Sequence, residues 1–208
     1  MWTRRLFVCA AAALLTAAAA EDRYIIVLIG PTGSGKTTQS EFLQRKFGIP
    51  TISADTLAKE NPAALAKYRE SGIEAGSPAT SPALNELVGD RLTQMDLRKG
   101  VALDGYPATK DQADHLDWLV KKLNLPSPII FHLQVPDDMV RKRLDKRQRY
   151  DDTPEQIERR LKEYHRELEM IKSYYPEANI WTIDGTKSIE DVSNTIRSIL
   201  TDELPKKR

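Results

Sequence analysis

One glycine-rich loop constrains the fold of this chain more than any other feature of its sequence. The loop spans 30–37, reads GPTGSGKT, and fits the pattern G-x-x-x-x-G-K-S/T at every required position. The apolar run before it, 24–29, predicts a buried strand, and the periodic segment 37–46 after it predicts a helix. A strand, a loop and a helix in this order predict a P-loop, whose backbone N–H groups and helix N-terminus bind phosphate.

The side chains of this loop supply the chemistry of a phosphate site. Lys36 provides a positive charge that reaches the β- and γ-phosphates of a nucleoside triphosphate such as ATP. Thr37 places a hydroxyl where Mg²⁺ is held, so magnesium is the expected cofactor. The alternative, a flexible Gly/Ser loop that happens to contain a lysine, does not explain the flanking strand and helix. The residues expected to bind the triphosphate are Gly30, Thr32, Gly33, Ser34, Gly35, Lys36, Thr37 and Thr38.

Short apolar runs alternate with longer periodic segments along the chain, which is typical of a parallel sheet covered by helices on both faces. The expected strands are 24–29, 51–53, 101–103, 129–134 and 180–183. They are rich in Ile, Val and Leu without strict alternation, as strands buried on both faces are. We therefore predict an α/β fold, a three-layer doubly wound five-stranded parallel sheet of the P-loop kinase type. One domain, 21–208, accounts for the length of the chain.

Two further segments are predicted to form helices. The segment 62–87 is rich in Ala, Ser, Pro and Gly, and it indicates a small helical insertion with tight turns. We place the whole insertion at about 53–87, since loops and insertions between core elements often carry binding residues. Apolar residues at helical spacing predict a long helix at 154–173.

Residues 1–20 differ in composition from the rest of the chain. A short basic stretch, 1–5, is followed by an unbroken Ala-rich apolar run, 6–20, which is short for a bilayer span. Small residues precede Glu21, so we predict a cleaved signal peptide and export to the periplasm or another extracytoplasmic compartment. The segment TRRLFV at 3–8 also resembles a twin-arginine signal. The alternatives are an ordinary Sec signal, an uncleaved anchor, or a start codon assigned too early, which would leave the protein cytoplasmic.

The overall charge excludes one class of partner. The chain has 31 basic and 30 acidic residues, so it offers no electrostatic footprint for nucleic acid. Its one cysteine, Cys9, lies in the predicted signal peptide, and the mature protein would contain no disulfide. We expect a monomer with no stable membrane association after cleavage.

Arginines form a second group of candidate site residues. Arg143 and Arg147 are four residues apart on one predicted helix face, and Arg149 and Arg160 follow. A phosphoryl-transfer transition state spreads negative charge over several oxygens, which converging guanidinium groups stabilise. By spacing alone, the same row of arginines also fits an ordinary solvated helix face.

Several ordered motifs resemble the adenylate kinase branch of the nucleoside monophosphate kinases. The resemblance covers nearly all of 24–200, and the motifs keep their order and spacing along the chain. They are Lys36-Thr37-Thr38-Gln39, Ile52-Ser53, Asp104-Gly105-Tyr106-Pro107 with Gln112-Ala113, Arg160-Leu161-Lys162-Glu163-Tyr164-His165, and Asp184-Gly185-Thr186-Lys187.

The resemblance implies phosphoryl transfer from ATP to a nucleoside monophosphate, most often AMP. It implies a core that binds ATP, an insertion that binds the acceptor, and a lid at about 146–153 that closes over the phosphates. In this scheme Lys36 bridges the phosphates, and Arg143 and Arg147 bind ATP from the base of the lid. Arg149 and Arg160 bind phosphates of both nucleotides. Two aspartates orient those arginines. The residues that receive these roles are Arg143, Arg147, Arg149, Asp151, Asp152 and Arg160.

The resemblance also assigns residues around the two bases and the metal. Asp104 would hold Mg²⁺ through water, although a strand-end cap is an alternative role. Gly185 and Lys187 would border the adenine of ATP. Gln112 would read the acceptor base, or else be a plain surface residue. The acceptor site would consist of Ser53, Lys59, Gly105, Tyr106, Gln112, Arg149 and Arg160.

The chain departs from the family pattern in two places. Only Gln148 separates Arg147 from Arg149, which makes the lid shorter than the short lids of the family. On the acceptor side, Lys59 and Ala108 replace two arginines that clamp the monophosphate, so acceptor binding should be weaker. Two alternatives therefore remain open: a kinase of a small non-nucleotide metabolite, and an exported ATP-binding protein without transfer activity.

Overall fold

The computed structural model describes residues 23–61, 63, 82–147, 149 and 152–203. Its strands are β1 (Tyr24–Ile29), β2 (Thr51–Ser53), β3 (Gly100–Asp104), β4 (Ile129–Gln134) and β5 (Ile180–Asp184). Its α-helices are α1 (Lys36–Phe47), α2 (Ala54–Glu60), α3 (Pro82–Gln94), α4 (Lys110–Lys122), α5 (Asp137–Arg147), α6 (Pro154–Tyr174) and α7 (Ile189–Ser198). A 3₁₀ turn (Glu177–Asn179) precedes β5, and a π-helical turn (Ile199–Glu203) follows α7.

The five strands form one parallel sheet in the order β2-β3-β1-β4-β5. The chain passes from β1 to β2 at one edge of the sheet and returns to β3 beside β1, and it then crosses to β4 and β5 on the other side of β1. Ligands of such sheets bind outside the carboxyl ends of the strands, where the winding changes direction. The predicted α/β fold is confirmed, and its switch point lies at the end of β1.

Helices cover both faces of the sheet, and β1 sends alternate side chains into each layer. On one face Ile25, Val27 and Ile29 pack with residues of α3, α4 and α6. On the other face Ile26 and Leu28 pack with residues of α1 and α7. These side chains are at most 1% exposed, and burying each one contributes about 1.5–3 kcal/mol. This packing therefore fixes the strand ends from which the loops at the carboxyl edge of the sheet begin.

A third, smaller apolar cluster joins α5 to α6. It consists of Val135, Val140, Leu144, Ile157 and Leu161, each buried. The start of α6 is fixed locally as well, because the Thr153 hydroxyl accepts a hydrogen bond from the N–H of Gln156 at 3.3 Å. This cluster holds the two helices that carry the candidate arginines.

The sequence predicted most element bounds to within one residue. Strands 24–29, 51–53 and 129–134 agree, while β3 and β5 are longer because their ends join the ladder, with Asp104 opposite both Leu28 and Ser53. The predicted signal peptide 1–20, much of the insertion, Asp151, and Gln148 in the lid lie outside the described residues, as does the side chain of Lys59. The insertion at 53–87 and the lid at 146–153 therefore stay predictions. Across the described helices, none combines the length and the apolar character needed to span a membrane.

Candidate active site

The P-loop leaves the central strand under tight steric control. At Gly30 a Cβ atom would lie 2.8 Å from the carbonyl oxygen of Leu133, so the loop passes β4 with no room for a side chain. Gly35 adopts φ +100° at the N-cap of α1, a left-handed conformation that favours glycine. The N–H of Ser34 donates to the carbonyl of Pro31 at 3.0 Å and closes the turn. Together these contacts place the N-terminus of α1 at the carboxyl edge of the sheet.

Lys36 lies in the first turn of α1 and folds back over the loop. Its ammonium donates to the carbonyl oxygens of Gly30 at 2.6 Å and Pro31 at 3.3 Å. Ser34 beside it is 5% exposed, and its hydroxyl is buried without a hydrogen-bond partner in the described part of the chain. Phosphate oxygens would accept hydrogen bonds from both the Lys36 ammonium and the Ser34 hydroxyl. The donors of this loop therefore suit an anion.

Oxygen ligands lie next to this lysine. Thr37 exposes its side chain on the first turn of α1, and Thr38 follows it. Asp104 ends β3, and burial raises the pKa of its carboxyl, as does Asp55, while the Lys36 ammonium lowers it. The described residues contain no group of three or more His, Cys, Asp or Glu side chains that could hold a metal by itself. The donors that are present suit a Mg²⁺ ion held mainly by phosphates and water.

Arg143 connects the P-loop to the opposite side of the cleft. Its guanidinium donates to the carbonyl oxygen of Gly33 at 3.2 Å and to that of Gly185 at 2.9 Å. Gly185 in turn lies close to β4, where an added Cβ would come within 2.6 Å of Val135. One arginine therefore joins the phosphate loop, α5 and the loop after β5.

Arg147 and Arg160 share one carboxylate. Arg147 binds Asp152 through two hydrogen bonds of 2.6 and 2.8 Å, and Arg160 binds the same side chain at 3.0 Å. The Asp152 side chain is 1% exposed, and its hydrogen bonds from Arg147 hold the pKa of that carboxyl below its usual range. The backbone N–H of Arg149 also points to Asp152, at 3.4 Å, while the Arg149 side chain is exposed. The carboxylate thus orients two guanidinium groups from different helices.

The predicted adenine-side residues form a small turn after β5. Thr186 donates both its N–H and its hydroxyl to Asp184, at 2.9 and 2.6 Å. Lys187 is exposed, with its ammonium 3.9 Å from the Asp184 carboxylate. Gly185 lies within this turn and joins the P-loop region through Arg143.

The predicted acceptor residues lie at the other end of the cleft. Ser53 ends β2 and caps α2, accepting the N–H of Thr56 at 3.4 Å. Gly105 follows β3 with φ +75°. The backbone of Lys59 lies in α2. Lys110, which sits two residues after Ala108, pairs with Asp114 at 2.7 Å on the exposed face of α4.

Two further acceptor residues are deeply buried. Tyr106 is 1% exposed, donates its hydroxyl to Asn85 at 3.0 Å, and contacts His115 at 3.0 Å. Gln112 is also 1% exposed, and its amide oxygen accepts the N–H of Ala108 at 2.7 Å. The amide oxygen of Gln112 therefore orders the turn in which the family arginine is replaced.

The structure adds polar residues that the sequence analysis did not single out. His132 on β4 is 2% exposed, and its Nε2 lies 2.7 Å from the hydroxyl of Tyr164. Glu167, one turn farther along α6, is partly buried, and burial raises the pKa of its carboxyl to about 7, with Lys36 lowering this pKa and Asp104 raising it. No motif of the sequence analysis singled out Glu167 or His132.

Comparison with known proteins agrees with this geometry. The family model described as adenylate kinase matches residues 28–180. The chain is 34% identical to the adenylate kinase of Nocardia farcinica, over 81% of this chain and 94% of that protein. It is 37% identical to the adenylate kinase of Micrococcus luteus, over 82% and 87% of the two chains, and 32% identical to that of Mesorhizobium japonicum, over 85% and 96%. This chain belongs to the adenylate kinase family.

Proposed function

We propose that this chain transfers the γ-phosphoryl group of ATP to AMP and so forms two molecules of ADP. One observation carries the proposal: the P-loop, with Lys36, lies at the switch point of the sheet, and Arg143 binds that loop directly. Positive charge from two separate helices thus meets at one phosphate site. Membership of the adenylate kinase family supports AMP as the acceptor.

On the ATP side, the residues act by position and charge. Backbone N–H groups of the P-loop receive the phosphates, and Lys36 exchanges its carbonyl partners for phosphate oxygens. Arg143, Arg147 and Arg160 stabilise the charge that develops on the transferred group, because oriented guanidinium groups require little reorganisation during the reaction. Asp152 holds two of them in place before substrate arrives.

Magnesium fits the residues that are present. Thr37 and, through water, Asp104 would hold it beside Lys36. When bound, the ion neutralises charge on the β- and γ-phosphates. The positive charge of Lys36 keeps the Asp104 carboxyl more acidic than burial alone would leave it, which favours the form that receives metal-bound water.

The acceptor site has fewer groups that can bind a phosphate than the family pattern provides. Ala108 occupies a position where the family has an arginine, and Lys110 is engaged by Asp114 on the surface. We call the residues that line the AMP site the acceptor wall. The rest of this wall consists of Ser53, Gly105 and the turn ordered by Gln112. We expect AMP to bind more weakly than in relatives that carry both arginines, since a bidentate guanidinium contact is missing.

Neither alternative from the sequence is supported by the comparisons. The matched relatives are named adenylate kinase, and the adenylate kinase family model spans 28–180, a range that includes the P-loop and the candidate arginines. An inactive binding protein would have no need of oriented arginines.

The assay for this proposal follows ADP formation from Mg-ATP with AMP and with a panel of other monophosphates. Lys36→Ala should lower the rate at least about 100-fold, which is the loss typical of removing one preorganised donor. Lys46→Ala is the matched control, because Lys46 is exposed in the last turn of the same helix. Absence of ADP formation with AMP, or equal rates for the two variants, would contradict the proposal.

We also propose that the protein is exported and that it is a monomer. Residues 1–20 support export, since a basic start, an Ala-rich apolar run and small residues before Glu21 match a signal peptide. Both substrate sites lie on one chain, so a monomer suffices. Mass spectrometry of the extracytoplasmic fraction should find a chain that begins at Glu21, and light scattering should give the mass of one chain. A cytoplasmic protein that keeps Met1, or a stable dimer, would refute these two points.

A further inference from the structure

The turn that follows β3 leaves the sheet beside both halves of the proposed site. It begins with Gly105 and Tyr106, directly after Asp104, which lies opposite Leu28 of β1 and Ser53 of β2. The turn therefore starts between the strand that leads into the P-loop and the strand that ends at the acceptor wall. A change in the position of this turn would alter the acceptor wall.

The hydroxyl of Tyr106 joins this turn to two helices. Its oxygen lies 3.0 Å from the Oδ1 of Asn85 on α3 and 3.0 Å from the Nδ1 of His115 on α4. Asn85 in turn places its Nδ2 3.0 Å from the carboxylate of Asp111, in the first turn of α4. Four side chains thus form one continuous chain of hydrogen bonds.

The chemistry of these groups fixes the direction of every hydrogen bond in the chain. A carboxylate only accepts, so Asn85 donates its amide N–H to Asp111 and turns its amide oxygen toward Tyr106. That oxygen has no proton to donate, so the one hydroxyl proton of Tyr106 goes to Asn85. The hydroxyl therefore accepts from His115, whose Nδ1 must carry a proton. Burial lowers the pKa of His115 and so favours the neutral ring, in which Nε2 is then left without a proton.

The hydroxyl depends on this chain more than the two helix residues do. Tyr106 is 1% exposed, whereas Asn85 and His115 are partly exposed and line an open cavity of about 290 Å³ between α3 and α4. Water can bind to the two helix residues there, but the buried hydroxyl needs protein partners. The N–H of Ala108, farther along the turn, is held separately by Gln112. The chain of hydrogen bonds therefore fixes the Tyr106 end of the turn.

We propose that Asn85 and His115 are positioning residues for AMP, which act through the Tyr106 hydroxyl on the turn that contributes Gly105 to the acceptor wall. Neither side chain needs to contact a nucleotide for this role. Supporting hydrogen bonds keep binding groups in the productive geometry, so loss of the chain should weaken AMP binding more than it changes ATP binding. This role rests on the proposed function, since it requires AMP to bind beside this turn.

Initial-rate kinetics with AMP and ATP varied in turn test the role of the hydroxyl. Tyr106→Phe keeps the buried ring and removes only the hydroxyl. It should raise the KM for AMP at least about threefold, the scale of one lost hydrogen bond, and by more than it changes kcat or the KM for ATP. Tyr175→Phe is the matched control, because Tyr175 is buried in the same apolar cluster and its hydroxyl has no hydrogen-bond partner within the described residues. Its KM for AMP should equal that of the unaltered protein.

A conservative substitution separates the hydrogen bond from packing. The amide nitrogen of asparagine and the Nδ1 of histidine are both bonded to Cγ, so His115→Asn keeps a donor near the Tyr106 hydroxyl. This variant should keep the KM for AMP within about twofold of the unaltered value, whereas His115→Leu should raise it about as much as Tyr106→Phe does. Equal increases in the two His115 variants would contradict the role of the donor.

Nitrogen NMR of the histidine rings gives a readout that does not depend on activity. At a pH where the ring is neutral, His115 should carry its proton on Nδ1, and Tyr106→Phe should reduce this preference. The chain has three histidines, and the signals lost in His115→Leu identify those of His115. A proton on Nε2 instead, an unchanged KM for AMP in Tyr106→Phe, or an equal rise in Tyr175→Phe would overturn the inference. If the unaltered protein forms no ADP from ATP and AMP although Nδ1 is protonated, the proposed function fails, and the positioning role fails with it.

Discussion

The carboxylate of Asp152 should make a large contribution to stability, and Asp152→Asn measures it. Three hydrogen bonds from Arg147 and Arg160 reach this buried side chain, and each bond to a charged group contributes about 1.5–3 kcal/mol. Asparagine keeps the shape and one acceptor oxygen but loses the charge. Because Arg147 is 28% exposed, we use the lower part of the range and expect a loss of about 2 kcal/mol. For a domain of this size that equals roughly 4–8 °C in Tm.

An exposed ion pair between the same two helices provides the control. Arg141 and Glu158 form two hydrogen bonds of 2.6 and 2.9 Å, but their side chains are 45% and 56% exposed. Solvent screens such a pair, so Glu158→Gln should cost about 0–1 kcal/mol. Urea unfolding without nucleotide gives both values. Equal losses in the two variants, or a loss below about 0.5 kcal/mol in Asp152→Asn, would refute the role of burial.

The same variant has a defined pH signature. The pKa of Asp152 is lowered in the folded protein by Arg147, so this group stabilises the fold above its unfolded pKa of about 3.9. That contribution is lost as pH falls through the lower folded pKa. The difference in stability between the unaltered protein and Asp152→Asn should therefore be full at pH 7 and shrink below about pH 4.

Three further predictions concern single residues. Burial lowers the pKa of His132 to about 4, so the free energy of unfolding should decline as pH falls from about 6.5 to about 4. Urea unfolding at each pH should show a smaller decline in His132→Gln, and equal declines in the two proteins would exclude His132 as the cause. Ala108→Arg should lower the KM for AMP about tenfold and leave that for ATP unchanged, because one charged bidentate contact is added; an unchanged KM for AMP would disprove our reading of the acceptor wall. Arg143→Lys should raise the KM for ATP about tenfold, because lysine cannot reach both Gly33 and Gly185 at once; initial-rate kinetics with equal KM values would contradict this.

Much of the fold followed from sequence because its signals are local. The run 24–29, the glycine-rich loop and the helix after it are adjacent in the chain, so their order alone identified the P-loop. Strands buried on both faces produced unbroken apolar runs, which fixed most of their bounds. Strand ends that depend on pairing with a neighbouring strand, such as Asp104 opposite Leu28, lie one residue from the predicted ends.

The arrangement of the site was harder to predict, because it depends on contacts between distant residues. Arg143 binds Gly185, 42 residues away, and His132 meets Tyr164, 32 residues away. No local pattern specifies which partner a buried side chain finds. Glu167 is a further example, since the burial that raises the pKa of its carboxyl follows from tertiary packing and from no local pattern. The resemblance to a family gave roles, but not these contacts.

Phosphorus NMR of ATP labelled at the γ-phosphate tests the central claim most directly. With Mg²⁺ and AMP present, we expect the label to appear as the β-phosphate of newly formed ADP, and we expect Lys36→Ala to abolish this signal. Label that stays in ATP, or that appears only as inorganic phosphate while AMP is present, would contradict an adenylate kinase reaction at this site.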